Sequence, residues 1–382
     1  MKDHPLFDLK YEEVVRRNFV KMYDSFDLPG EGKSSRPPDL KTEMRKEVMR
    51  SKLKQKWGLD NSTLRHLIFS AAMRLKIRKV PNPGLEEFEE EFRSELDLYE
   101  KRPRKKVAVL CPLNAQVAGL PGSETIVVQE CSFLRTSWEH IHALPGWKEF
   151  LDNIRGHHYL ASALKNQTDP MQKYFTPFLV EVIGRDVQEV FQAAYARFEL
   201  MRSILNIFVN FGRWQIQFGK SIQLGTILPP LFFVMFTGEG RYGSASFNEE
   251  PYTYREVKLD AKSLSDLNAM LARIDKMNPE IRSMFVDSLV KYVHAMDTID
   301  WRDAFLTLWQ VLENLSLSPI SSRLKMGEVC SRIKNLMGLT DLLHKELIDA
   351  VVETRNSYVH LGKFSDDGLM EVQYLKIIVE LA

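Results

Sequence analysis

From about Lys262 to Ala382, apolar residues recur three and four positions apart, and the breaks between stretches fall on helix-terminating residues. This pattern confines the C-terminal part of the chain to packed helices. Asn278 followed by Pro279 predicts an N-cap with proline in the first turn, opening a helix with Ile281, Phe285, Leu289, Tyr292 and Met296 inward. Asp300 predicts the cap of the next, WRDAFLTLWQVLENLSL, with Phe305, Leu308, Trp309, Leu312 and Leu315 as core packing. A helix over Leu324–Met337 ends at Gly338, a longer one over Asp341–Leu361 ends at Gly362, and Leu369–Leu381 forms the last.

The middle of the chain has a different period. KKVAVLCPL from Lys105, ETIVVQECSF, FTPFLVEVIG and PPLFFVMFTG are short, rich in β-branched or aromatic residues, and bounded by proline or glycine, as strands are. Between the last two lies a helical stretch with Val187, Val190, Phe191, Ala194, Phe198, Met201 and Leu205 on one face. Residues up to about 100 are helical and polar. Tyr11–Phe26 has helical spacing, LPGEGKSSRPP is a loop, Lys41–Lys56 is a basic amphipathic helix and Glu86–Asp97 an acidic one. The run KRPRKK reads as a solvated linker ahead of a strand, with a phosphate-binding patch as the alternative. The expected fold class is α+β, a mixed α/β N-terminal region followed by an all-α bundle. The expected parts are a helical region over 1–104, a mixed sensing or binding domain over 105–255 and a helical domain over 262–382.

Composition sets limits on function. With 52 Lys+Arg against 51 Asp+Glu, the net charge is +1, so nucleic-acid binding must rest on a local patch. The longest apolar run, Ile227–Phe236, is interrupted by prolines and is about half of a bilayer span. The N-terminal sequence has no apolar signal-type region. Cys111, Cys131 and Cys330 are odd in number and form no CxxC pair. These features lead us to expect a reduced, cytoplasmic chain with no disulfide framework, no thiolate zinc site and no membrane span.

Several motifs invite chemistry and do not carry it. Gly238–Gly243 spells GxGxxG after a strand, but SASFNEEPYTY cannot open the helix that a dinucleotide fingerprint needs, so a hairpin connection is expected. His140 and His142, read as sharing one side of a strand, lie near His157 and His158 in sequence, but no thiolate or carboxylate completes a ligand spacing. No GxSxG elbow and no GxxxxGK[ST] loop occurs.

ETRNSYVHLG, near the C-terminus, is the remaining candidate. Arg355 precedes His360 by five positions, and Asn356 directly follows the arginine. Arg135 repeats the spacing with His140 and His142, but there no regular helix is expected to orient the pair. On the Asp341–Leu361 helix the expected buried stripe is Leu343, Leu347, Ala350, Val351, Thr354, Tyr358 and Leu361. Glu353, Asn356 and His360 share a different face, with Arg355 beside it. The bland alternative is a helix end whose dipole attracts Arg and His.

Arg355-Asn356-x-x-x-His360, in the penultimate helix of a helical C-terminal domain and followed by Gly362, resembles the HEPN superfamily (higher eukaryote and prokaryote nucleotide-binding domain). FLTLWQVLENL with Glu313 late in it fits that pattern, and FLVEVIGRDVQEVFQAAYARFELMRSILNIF is similar to the segment ahead of this domain in ApeA-like bacterial defence proteins. The likeness covers about 262–382 well and 175–237 loosely. It implies a metal-independent endoribonuclease in an antiviral, abortive-infection or toxin-like system, with no cofactor, RNA as substrate and a homodimer that builds one composite site. Arg355, Asn356 and His360 would be catalytic, and Glu353 or Glu313 would orient Arg355. Lys41, Arg45, Lys52 and Lys56 on the basic helix are candidate RNA contacts, with a solvated helix face as the alternative. Gly362 stands where family members modified by partner nucleotidyltransferases carry tyrosine, so that modification is not carried over. The competing class is a non-catalytic RNA- or nucleotide-binding or dimerisation scaffold.

Overall fold

A computed structural model describes residues 61–80, 85–117, 125–154, 174–213, 224–248, 254–316, 326–336, 342–361 and 368–382. They belong to two compact units, one running to Lys105 and taking in Gly184–Val190, the other comprising Lys106–Ile183 with Phe191–Ala382.

In the first unit, α1 (Asn61–Ile77) and α2 (Leu85–Glu100) pack through Leu64, Leu67, Ala71, Phe88, Phe92 and Leu96. The acidic helix expected over Glu86–Asp97 is α2. Two of its carboxylates, Glu91 and Glu95, are buried and meet cations of α1 and of the turn that follows it. Arg74 pairs with Glu95, and Arg78 lies 2.7 Å from Glu91. Opposite charges facing each other at the helical repeat thus fix the register of this pair.

The second unit holds the strands β1 (Lys105–Leu113), β2 (Gln116–Val117), β3 (Thr125–Val128), β4 (Cys131–Arg135), β5 (Thr176–Gly184), β6 (Phe232–Phe236), β7 (Tyr242–Phe247) and β8 (Lys258–Leu259). Six form one sheet in the order β3-β4-β5-β1-β6-β7, and β2 pairs with β8 in parallel. Strand β6 is buried along its whole length, which explains its unbroken apolar sequence. Phe232, Val234 and Phe236 face Trp138, Trp147 and Phe150 of two short helices, α3 (Trp138–Ala143) and α4 (Pro145–Asn153). Phe233 turns the other way and meets Phe198 edge to face on α5 (Val187–Asn210). The Gly-rich stretch is the β6–β7 hairpin: Gly240 has φ +70, and a Cβ at Gly146 would lie 2.1 Å from the Tyr242 backbone nitrogen, so α4 and the hairpin approach only through glycine.

The C-terminal helices are α6 (Ala261–Asp275), α7 (Pro279–Asp297), α8 (Trp301–Ser316), α9 (Met326–Leu336), α10 (Leu342–Leu361) and α11 (Gly368–Leu381). Asn278 caps α7 by accepting from the Glu280 N–H at 3.0 Å, and Asp300 caps α8 by accepting from the Arg302 N–H at 2.8 Å. Helix α8 buries Phe305, Leu308, Trp309 and Leu312, as its period requires, against Tyr292 and Met296 of α7 and Val372 and Leu375 of α11. The α+β fold class is therefore the observed one. No helix among the described residues is long and apolar enough to cross a membrane.

Three local expectations need correction. His140 and His142 lie on helix α3, whose start Ser137 caps, and not on a strand; the buried Trp138 and Ile141 pull this segment into a helical turn. Ile281 is exposed, because the first turns of α7 extend past the core. Among the described side chains of α10 the buried ones are Ile348 and Val351, whereas Ala350 faces solvent; those of Leu343, Leu347 and Leu361 lie outside the described residues. Ile348, Val351 and Val352 are apolar over a wide arc of α10, and packing within the bundle core decides which side is covered.

Candidate functional site

Helix α10 carries Glu353, Arg355 and Asn356 in its C-terminal half, on a backbone anchored by Ile348 and Val351 in the bundle core. Thr354 donates to Glu371 Oε1 of α11 at 3.4 Å, tying this turn to its neighbour. Arg355 and Asn356 are half-buried, and Arg355 Nη1 donates to Asn356 Oδ1 at 3.3 Å. That contact uses one donor of five on the guanidinium and leaves the Asn356 amide N–H groups to point elsewhere. Glu353 is exposed.

Glu313 sits on α8, where its Oε1 accepts the Trp309 indole N–H at 2.7 Å. Among the described residues no ion pair joins Arg355 to Glu353 or to Glu313. His360 falls in the last turn of α10, one helical step beyond Asn356; its side chain is outside the described residues. The basic stretch with Lys41, Arg45, Lys52 and Lys56 also lies outside them, as do His157 and His158.

The competing motifs resolve differently. Gly238–Gly243 leads into strand β7, so no helix N-terminus is there to meet a pyrophosphate. His142 stacks on Trp147 with ring centroids 5.4 Å apart. Among the described residues no group of three or more His, Cys, Asp or Glu side chains is placed to hold a metal ion. Cys111, Cys131 and Cys330 are free thiols, and burial pushes all three up, Cys111 the furthest.

Sequence reasoning missed the charges buried inside the second unit. Arg202 of α5 has no solvent exposure and is held between two carboxylates. It reaches Glu199 Oε2 at 2.6 Å and Asp297 Oδ2 at 2.5 Å, and donates also to the Ile227 carbonyl at 3.0 Å. Burial opposes the guanidinium charge, and Asp297 and Glu199 more than restore it. Burial also pushes the Asp297 carboxyl up to about 6, against the pull of Arg202. His294 lies 3.7 Å from Glu199, and burial lowers its pKa below the ordinary histidine value.

A second knot joins α5, α7 and α11. Lys376 reaches Glu380 at 2.7 Å and the Asn210 carbonyl at 3.0 Å, and the Tyr292 hydroxyl donates to Glu380 at 2.5 Å. The signal in the sequence was the polar series Glu199, Arg202, Ser203, Asn206 and Asn210. It runs down one side of α5 at helical spacing and is buried throughout. The partners stand far away along the chain, 95 positions in the case of Asp297. No protein-family model, no curated protein and no solved structure matches this chain.

Proposed function

We propose that this protein is a metal-independent endoribonuclease of the HEPN type, with Arg355, Asn356 and His360 of α10 as its catalytic groups. The observation that carries this reading is the state of Arg355. It is half-buried beside Asn356 on a helix anchored in the core, and among the described residues it has no carboxylate partner. A guanidinium neutralised by Asp or Glu serves the fold; one paired only with an amide keeps its fork for a phosphate.

RNA supplies its own nucleophile. In the proposed reaction the 2′-oxygen attacks the adjacent phosphorus, His360 takes the 2′-OH proton, and the P–O5′ bond breaks. The leaving 5′-oxygen gains a proton, and the products are a 2′,3′-cyclic phosphate and a 5′-hydroxyl. Imidazole suits these transfers because it titrates near neutral pH. Arg355 and Asn356 would donate to the phosphoryl oxygens as charge builds on them. Two copies related by a two-fold axis would place one histidine on each side of the scissile bond, which is why a homodimer belongs to the reading. A role in bacterial antiviral defence or a toxin-like system follows from the resemblance in the C-terminal segment, and the RNA contacts proposed for Lys41, Arg45, Lys52 and Lys56 rest on their basic helical pattern.

The test is cleavage of total RNA in the presence of EDTA by wild type and by His360→Ala. Loss of cleavage in the variant supports the reading. Equal cleavage by both removes His360 from the site, and RNA binding without cleavage by wild type favours the scaffold class.

A further inference from the structure

Within the second unit a cavity of about 540 Å³ opens where the end of α7 faces the β6–β7 hairpin. This volume lies within the usual range of small-ligand pockets, roughly 300–1,000 Å³. One wall is aromatic, built from Tyr195 of α5 and Phe233 of β6; Phe247 of β7 borders the cavity, but its ring stacks on Phe150 on the other face of the sheet. The other wall is acidic, with Asp297 at the end of α7, Asp300 in the turn and Asp303 in the first turn of α8. Among the described residues lining it there is no lysine or arginine.

We propose that this cavity binds a small organic cation, an amine or guanidinium carried on an apolar or flat body. The charge distribution selects the sign. Asp297, Asp300 and Asp303 reach the cavity, whereas Arg202 lies wholly buried beside Asp297 and is already shared with Glu199. One guanidinium faces two buried carboxylates, so a second positive charge entering from the cavity side is attracted and an anion is repelled. The aromatic wall works in the same direction. Ring faces attract an ammonium or guanidinium within about 6 Å and contribute on the order of 0.5–2 kcal/mol.

The wall is held in place before a ligand arrives. Both Asp297 oxygens accept from Arg202, at 2.7 and 2.5 Å, which fixes the carboxylate. Tyr195 and Phe233 meet edge to face at 5.8 Å, and Phe233 in turn meets Phe198 at 5.5 Å. Asp300 keeps its place by capping α8. A polar wall fixed by a buried ion pair and an aromatic wall fixed by ring packing need little rearrangement on binding. The half-exposed His294 adds an imidazole that can accept from a ligand N–H when neutral. This pocket does not depend on the nuclease reading, since none of its residues belongs to α10.

The test uses the full chain in isothermal titration calorimetry with benzylamine, agmatine and spermidine, against benzyl alcohol and benzoate as neutral and anionic counterparts. An arginine amide blocked at its N-terminus stands for a peptide source of the same chemistry. The expected result is saturable binding of one or more cations and none of benzyl alcohol or benzoate. Tighter binding of the blocked arginine amide than of the free amines would assign the source to a peptide side chain. Asp303→Asn, at an exposed position, should weaken binding about tenfold, the loss of one charged hydrogen-bond partner. Tyr195→Leu should weaken it by removing a ring face, and Arg355→Ala should leave it unchanged. No saturable binding of any cation overturns the proposal, as does equal binding of benzyl alcohol or indifference to both Asp303→Asn and Tyr195→Leu.

Discussion

Two arginines on two helices of the second unit show how differently one side chain can be used. Arg202 on α5 has no exposed surface and touches Glu199, Asp297 and a backbone carbonyl. Arg355 on α10 is half-buried, and its contact among the described residues is the neighbouring Asn356 amide. Burial without partners is costly for any guanidinium, so the first must be neutralised and the second must retain access to solvent. The difference separates an arginine that helps hold α5 to α7 from one that meets only a neighbouring amide among the described residues.

The sharpest way to break this comparison is to remove the buried charge. Arg202→Met strands Glu199 and Asp297 together in the interior and should cost about 3–5 kcal/mol of unfolding free energy, read by urea denaturation. Neutralising the whole set with Glu199→Gln, Arg202→Met and Asp297→Asn should recover most of that loss. A single-variant cost below about 1 kcal/mol, the level of an ordinary surface pair, would mean that the network does not hold these helices.

A smaller loss is expected at the second buried knot. Tyr292→Phe removes the hydroxyl that donates to Glu380 and should cost about 1.5–3 kcal/mol, the range for a hydrogen bond to a charged group. Lys376 remains on that carboxylate, so the chain stays folded. An unchanged denaturation midpoint would show that the hydroxyl is dispensable.

The smallest effect concerns protonation. With its pKa lowered by burial, His294 binds a proton less tightly in the fold than in the unfolded chain, whose value is near 6.5. Its share of stability therefore falls as pH drops through about 6.5. Asp297 works in the opposite sense. Its carboxyl, raised to about 6, holds a proton more tightly in the fold, so its share rises as pH falls through that value. Because the two oppose each other in overlapping windows, a bulk stability curve blurs them and a residue-resolved titration does not. The His294 imidazole signals in NMR should titrate with a midpoint below 6.5, and a midpoint above it would show that Glu199 governs the site.

The same contrast explains what could be read along the chain. The change of period near Lys105, the Asn278-Pro279 start of α7, the Asp300 cap of α8 and the Gly238–Gly243 hairpin are local signals, set by residues within a few positions of each other. The spacing of Arg355, Asn356 and His360 is local in the same way, since all three lie within six positions of one helix. Arg202 and Lys376 were not legible. Each looks like an ordinary surface charge until α7 and α11 fold against α5, and their partners are set by tertiary packing. His140 and His142 went astray at an intermediate range: alternation suggested a strand, but Ser137 as cap and Trp138 as anchor favour a helical turn. The acidic wall of the α7–hairpin cavity, Asp297, Asp300 and Asp303, lies on one short stretch of sequence, but the aromatic wall comes from α5 and β6, and no local pattern could bring the two together.

The most direct test of the central claim measures RNA cleavage and unfolding free energy on the same preparation of Arg355→Ala, beside wild type and with EDTA present. The account predicts cleavage lowered by about 10²-fold or more, the cost of losing a donor to the developing phosphoryl charge. It also predicts stability within about 0.5 kcal/mol of wild type, as for a substitution outside the packed core. Cleavage equal to wild type, or a variant that unfolds as Arg202→Met is expected to, would contradict it.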